Sequence, residues 1–199
     1  MCGITGYVGD GDALEIVAST LANLEYRGYD SAGVALGNDD LSISKAAGRI
    51  GDLTLPDASG ATCGIGHTRW STHGPPTDAN AHPHTDCTGE IAVVHNGIIE
   101  NHAALKAELE GEHTFTSETD TEVVPHMIED EWDGGDLMEA VSAVVERLSG
   151  SYAIAVTVAG RDEIVAARQD SPLVVGHGDG ETFLASDVPA FVEHSRDVT

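Results

Sequence analysis

Basic residues are scarce in this chain: of 199 residues only 9 are lysine or arginine, against 34 aspartates and glutamates, which leaves a formal net charge of −25. Lys45 and Lys106 are the only lysines. A phosphate backbone would be repelled, and no basic patch exists to release its counterions, so no nucleic acid partner is expected. Long apolar runs are missing too. None approaches the roughly 18 residues of a membrane span, and no basic n-region followed by an apolar stretch opens the chain, so no membrane association is expected and the protein reads as soluble and cytoplasmic. Cysteine is limited to Cys2, Cys63 and Cys87. They are odd in number, widely spaced and without a C-x-x-C pair, which argues against a disulfide framework or a zinc ribbon and fits a reducing compartment. His82-Pro83-His84 has the His-x-His form that can ligate zinc, but no further ligand stands at a recognisable spacing. Neither metal nor cofactor is expected.

What is present is a folding chain. Hydrophobic residues make up 41% of it, enough for one domain with its own core. The acids are scattered through predicted helices and turns instead of forming a tail, which reads as a uniformly acidic, solvated surface. Such a surface suits a salt-rich, halophilic cytoplasm, where screening relieves its self-repulsion. The melting temperature should then rise between low salt and molar KCl; an unchanged value would count against this.

Strand-like runs fall at 4–8, 32–36, 63–68, 91–95, 152–158, 163–167, 173–175 and 182–185. Helical periodicity is clearest over 12–24, where Leu14, Val17, Ala18, Leu21 and Leu24 share a face, and over 137–148, with shorter helices expected at 102–110 and 121–132. Runs of strands followed by runs of helices predict an α+β layered architecture with antiparallel sheets. The polar stretch from Ser71 to Thr88, with four of its residues Gly or Pro, is longer than a simple turn and of a length commonly used for function.

Cys2 is the sharpest chemical feature. Removal of Met1 would leave one residue holding both a thiol nucleophile and an α-amine, whose ordinary pKa of about 7.7–8.0 suits it to accept the thiol proton. Gly3 and Gly6 leave room beside it. Asn96-Gly97 fits a type I′ hairpin turn; alternatively its side-chain amide and N–H form an oxyanion hole at a strand end. Arg69 ends a strand, either as a surface charge or as a planar fork for a carboxylate. Asp120 either caps the next helix or binds an ammonium group. A non-catalytic acidic binding module and a self-processing peptidase stay open on these residues alone, the latter wanting more than Met1 ahead of Cys2.

The blocks CGITGYVG, LEYRGYDSAG, GHTRWSTHG, NAHPH, VVHNGIIENH and TSETDTEV, in this order, resemble the N-terminal glutaminase domain of the glutamine–fructose-6-phosphate aminotransferases. The resemblance runs from Cys2 to the end, so residues 2–199 are expected to be one type-2 glutamine amidotransferase domain, without the sugar-phosphate isomerase half that binds fructose 6-phosphate. It implies an N-terminal-nucleophile hydrolase fold, a four-layer αββα sandwich of two antiparallel sheets between helices. It further implies L-glutamine as substrate and no cofactor, and it is compatible with a homodimer formed through the absent half. Cys2 would be the nucleophile with its own amine as base, and Asn96 with Gly97 the oxyanion hole. Arg69 would hold the α-carboxylate, Asp120 the α-amine. Trp70, Thr72 and His73 would belong to a loop closing over glutamine, and Arg27 would support the nucleophile. Ser71 departs from the more familiar Ala. Related amidotransferases that make phosphoribosylamine more usually carry His before the arginine and Gln after the glycine of the second block. Tyr26 and Tyr29 stand there, favouring the sugar-phosphate acceptor.

Overall fold

The computed structural model describes residues 2–71 and 75–199. Its elements are β1 (Gly3–Gly9), α1 (Ala13–Ala22), β2 (Ser31–Gly37), β3 (Leu41–Ala47), β4 (Cys63–Arg69), β5 (His84–Thr85), β6 (Ile91–Ile99), α2 (His102–Leu109), α3 (Val123–Glu131), α4 (Leu137–Val145), β7 (Gly150–Val158), β8 (Ile164–Gln169), β9 (Val174–His177), β10 (Glu181–Ala185) and β11 (Asp197–Val198). They form a seven-stranded sheet, in the order β11-β9-β10-β1-β4-β2-β3, and a four-stranded sheet, β5-β6-β7-β8. Among the described residues, all strand pairings within the two sheets are antiparallel.

Side-chain alternation along the strands sorts residues into layers. On one face of β6 and β7, Ala92, Val94, Ala153 and Ala155 meet Ile4, Ala35, Ile65 and Leu184 of the larger sheet. Half of this inter-sheet core is alanine, which lets the two backbones approach closely. On the opposite faces, α1 covers the larger sheet through Val17 and Leu21 against Tyr7, Val34 and Phe183. Helices α3 and α4 cover the smaller sheet through Met127, Ile128, Val141 and Val144 against Ile154, Val156 and Val165. Helix, sheet, sheet and helix give the expected four layers. Helix α1 starts where Asp12 accepts hydrogen bonds from the N–H groups of Leu14 and Glu15, and α4 where Asp136 accepts from Met138, so both N-termini are capped by acids.

Asn96-Gly97 differs from both sequence expectations for its backbone. It is neither a hairpin turn nor a strand end: β6 runs through it, pairing Asn96 with Ala153 and Gly97 with Tyr152. Gly97 has φ of 122°, and a Cβ there would lie 2.0 Å from the Ser151 carbonyl oxygen, so glycine is required by both torsion and space.

Candidate active site

The same alternation that builds the inter-sheet core also aims the site. Cys2 continues the inward series of Ile4 on the central strand of the larger sheet; His67 and Arg69 continue that of Ile65; Asn96 continues that of Ala92 and Val94. The hydrophobic layer thus ends in polar side chains drawn from both sheets. Asn96 Nδ2 donates to the Cys2 carbonyl oxygen at 3.0 Å, across 94 residues of sequence. Arg27, buried, donates from Nε to the same oxygen at 3.0 Å and pairs with Asp187 at 3.1 Å. The Trp70 N–H donates to Cys2 Sγ at 3.3 Å. Gly28 packs against the peptide that carries that donor, and a Cβ there would come within 2.7 Å of Trp70 N.

The amide orientation of Asn96 follows from its neighbour. His67 Nε2 lies 2.9 Å from the His95 carbonyl and 3.0 Å from Asn96 Oδ1. Two acceptors at one ring nitrogen require it to carry the proton. That places Oδ1 on the histidine side and turns Nδ2, with its two N–H donors, towards Cys2. One donor serves the Cys2 carbonyl, and the second remains for a ligand.

A small cavity of about 30 Å³ joins Cys2 to His67, Arg69, Gly97, Asp120 and Thr121. Next to it, a larger cleft of about 280 Å³ is lined by Cys2, Arg27, Trp70, Asn96, Gly97 and Ile98 among others. Arg69 is buried, and its Nη1 reaches Ser71 Oγ and the Pro75 carbonyl, each at 3.4 Å. Asp120 does not cap α3. Its Oδ2 accepts the Ile99 N–H at 2.7 Å, and Glu122, which precedes the helix, makes no side-chain cap. Asp120 is thereby pinned to the strand that carries Asn96. Trp70 is half exposed with its ring edge-on to Tyr29. Thr72 and His73, expected in the closing loop, lie outside the described residues. Burial pushes the Cys2 thiol pKa up, opposed in part by the Trp70 N–H and by the charges of Arg69 and Arg27. Deprotonation therefore calls for a base close at hand.

The glutamine amidotransferase domain family matches this chain over residues 67–193. The chain belongs to that family. Similar curated proteins include the glutamine–fructose-6-phosphate aminotransferases (isomerizing) of Halobacterium salinarum, 62% identical over 201 residues, and of Symbiobacterium thermophilum, 56% identical over 206; each alignment covers 100% of this chain and 33% of the relative. That of Streptomyces coelicolor is 55% identical over 99% of the chain and 33% of the relative. The chain thus spans about a third of the length of these relatives. Among solved structures, glutamine phosphoribosylpyrophosphate amidotransferase from B. subtilis, complexed with ADP and GMP, superposes with a TM-score of 0.82 at 26% identity, covering 97% of this chain and 44% of that one. This supports the α+β sandwich fold. Among the described residues, no helix is long and apolar enough to cross a membrane.

Beside Cys2 the domain also gathers four buried histidines, His67, His82, His84 and His95, of which only His82 and His84 were considered from sequence, as metal ligands. The rings of His67 and His82 stack at 4.2 Å, with His84 at 4.7 Å and His95 at 6.3 Å from His82. His95 Nδ1 contacts Thr121 Oγ1 at 2.7 Å, and His84 Nε2 contacts Thr119 Oγ1 at 3.0 Å. Burial lowers the pKa of His67 to about 3 and of His95 to about 4, and pushes those of His82 and His84 well below the ordinary value. All four are neutral near pH 7. The available signal was strand parity, since His67 follows Ile65 on the inward face of β4.

Proposed function

We propose that this domain hydrolyses L-glutamine to glutamate and ammonia through a thioester on Cys2. Within a longer protein like its curated relatives, the ammonia would pass to fructose 6-phosphate. The observation that carries the reading is the meeting, at one end of the inter-sheet layer, of a thiol, a fixed amide donor, a buried arginine and a buried carboxylate. With Met1 removed, the α-amine of Cys2 takes the Sγ proton and the thiolate attacks the side-chain amide carbon of glutamine. The free N–H of Asn96 and the Gly97 N–H receive the developing oxyanion. As the tetrahedral species collapses, the C–N bond breaks and the amine returns its proton to the departing nitrogen, which leaves as ammonia. Water then attacks the thioester, releasing glutamate and restoring the thiol.

Arg69 and Asp120 line the same cavity as Cys2, so one positive and one negative group are available to read the α-carboxylate and α-amine. Arg27 holds the Cys2 backbone from behind. The small cavity and the larger cleft share Cys2, Trp70 and Gly97, and Trp70 is taken as part of a segment that closes over glutamine. Thr72 and His73 belong to that closing segment in this reading. The fructose 6-phosphate acceptor is favoured over phosphoribosylpyrophosphate by the 62% identity to the Halobacterium protein against 26% to the amidotransferase structure. The acidic surface fits a salt-rich cytoplasm.

Arg69→Lys removes the planar fork and Asp120→Asn removes the charge facing the substrate amine. Each costs a charge-assisted hydrogen bond of about 1.5–3 kcal/mol, so KM for glutamine should rise roughly 10- to 100-fold, with kcat less affected. Steady-state ammonia release checks this; an unchanged KM in both variants would show that these groups do not read the amino acid.

A further inference from the structure

A second cluster of chemically able side chains shares no residue with the lining of the cavity at Cys2. Cys87 sits in the turn between β5 and β6, His113 follows α2, and His126 and Glu129 stand three apart on α3, hence on one face. One donor atom from each of the four lies within 4.8 Å of all the others. Cys87 Sγ is 3.6 Å from Nδ1 of both His113 and His126. Glu129 Oε2 is 3.1 Å from His113 Nδ1 and 3.4 Å from His126 Nδ1.

Three of these four separations match the edges of a coordination tetrahedron, and the fourth, 3.1 Å, is slightly shorter. With metal–sulfur bonds of about 2.3 Å and metal–nitrogen or –oxygen bonds of about 2.0–2.2 Å, the edges come to about 3.6 Å between S and N and about 3.3–3.5 Å between N and O. Hydrogen bonding alone does not satisfy every one of these contacts. A neutral imidazole Nδ1 has one proton to offer at most, yet each of the two faces both the sulfur and the carboxylate oxygen. That oxygen already accepts the Cys87 N–H at 3.0 Å. The surroundings are also those of a metal site: His113 Nε2 contacts Asp130 Oδ1 at 3.0 Å, and the Thr114 N–H points at Cys87 Sγ at 3.5 Å.

We propose that Cys87, His113, His126 and Glu129 form a structural zinc site. One thiolate, two imidazoles and one carboxylate suit zinc in ligand softness, and four protein ligands leave no open position for catalysis. The ion ties the β5–β6 turn and the segment after α2 to α3. Residues Asp120 and Thr121, just ahead of α3, line the cavity at Cys2, so the zinc fastens the element behind that wall. A cleft bordered by Thr85, Asp86, Cys87 and Thr114 gives the ion a path from solvent.

The full chain, stripped with chelator and titrated with Zn²⁺ and Co²⁺, tests this. One Zn²⁺ should bind per chain, and at a hundredfold excess over Kd it should raise Tm by roughly 5–10 °C. The Co²⁺ form should show tetrahedral ligand-field bands and a thiolate-to-cobalt charge-transfer band. That band should persist in Cys2→Ala and vanish in Cys87→Ser, with affinity for Zn²⁺ at least 10-fold lower in Cys87→Ser and in His126→Gln. Cys87 is exposed, so its variant folds even if His126→Gln does not, and an unchanged circular dichroism spectrum verifies it. Equal Zn²⁺ affinity in wild type and Cys87→Ser, or Co²⁺ binding without a thiolate band, would overturn the proposal.

Discussion

Cys2→Ala should abolish glutamine hydrolysis, a loss on the order of 10⁴-fold or more, while leaving the fold intact. The size follows from the absence of a second thiol at the site: besides Cys2 and Gly97, the described residues lining the small cavity are neutral histidines, an arginine, a carboxylate, threonines and an indole. Removing a group that forms the covalent intermediate leaves only binding and oxyanion stabilisation. The structural cost is small because Cys2 is only partly buried and, among the described residues, its sulfur makes hydrogen-bond contacts with the Trp70 backbone alone. Its carbonyl, which ties Arg27 and Asn96 together, survives the substitution. The variant should therefore still bind glutamine, which separates a chemical from a structural loss. Ammonia release by the variant at even a hundredth of the wild-type rate would remove Cys2 from the mechanism.

Acidification should unfold the domain well before its carboxylates are protonated. His67 and His95 take up a proton in the unfolded chain near pH 6.5 but in the folded state only near about 3 and about 4. Above pH 6.5 both states are neutral at these sites and stability does not depend on them. Below it the unfolded chain binds protons that the folded chain refuses, so stability falls as pH drops towards the folded values. At pH 5 the loss amounts to about 2 kcal/mol for each, or about 4 kcal/mol together, a large share of the roughly 5–15 kcal/mol typical of a domain. His82 and His84, shifted in the same direction, add to it. Urea unfolding of the metal-free protein at pH 7.5 and at pH 5, at one fixed high salt concentration, measures this. A midpoint that does not fall would mean that these rings are already protonated in the folded state.

The long, well-alternating or amphipathic segments were legible in the sequence. Helices α1 and α4 stand where periodicity puts them, and β1, β4, β7 and β10 within a residue or two of expectation, because each buries a face in one of three apolar layers. Strand β3 was not legible: Leu41, Ser42, Ile43, Ser44 and Lys45 form a half-exposed edge strand, where packing demands little of the sequence. Strands β5 and β11 have two residues each, too few for a pattern. Near the C-terminus the chain makes a single 3₁₀ turn at Val188–Ala190 before β11. Asn-Gly reads locally as a turn, and only the neighbouring strand, with Ser151 pressed against Gly97, keeps β6 going.

For the site, the nucleophile could be read from position and glycine context, but the support could not. That Arg27 and Asn96 converge on one carbonyl oxygen depends on two sheets meeting. That His67 sets the Asn96 amide depends on strand parity in both. The Cys87 cluster draws on a turn, a loop and a helix, a spacing no motif encodes.

The most direct measurement is intact mass before and after treatment with a glutamine-like electrophile, diazo-oxo-norleucine, on wild type and Cys2→Ala. A chain lighter by its initiator methionine, gaining one adduct that maps to Cys2 and is absent from the variant, is the predicted result. Full-rate glutamine cleavage by a preparation that retains Met1, or equal labelling of both proteins, would contradict an attacking thiol and its base sharing one terminal residue.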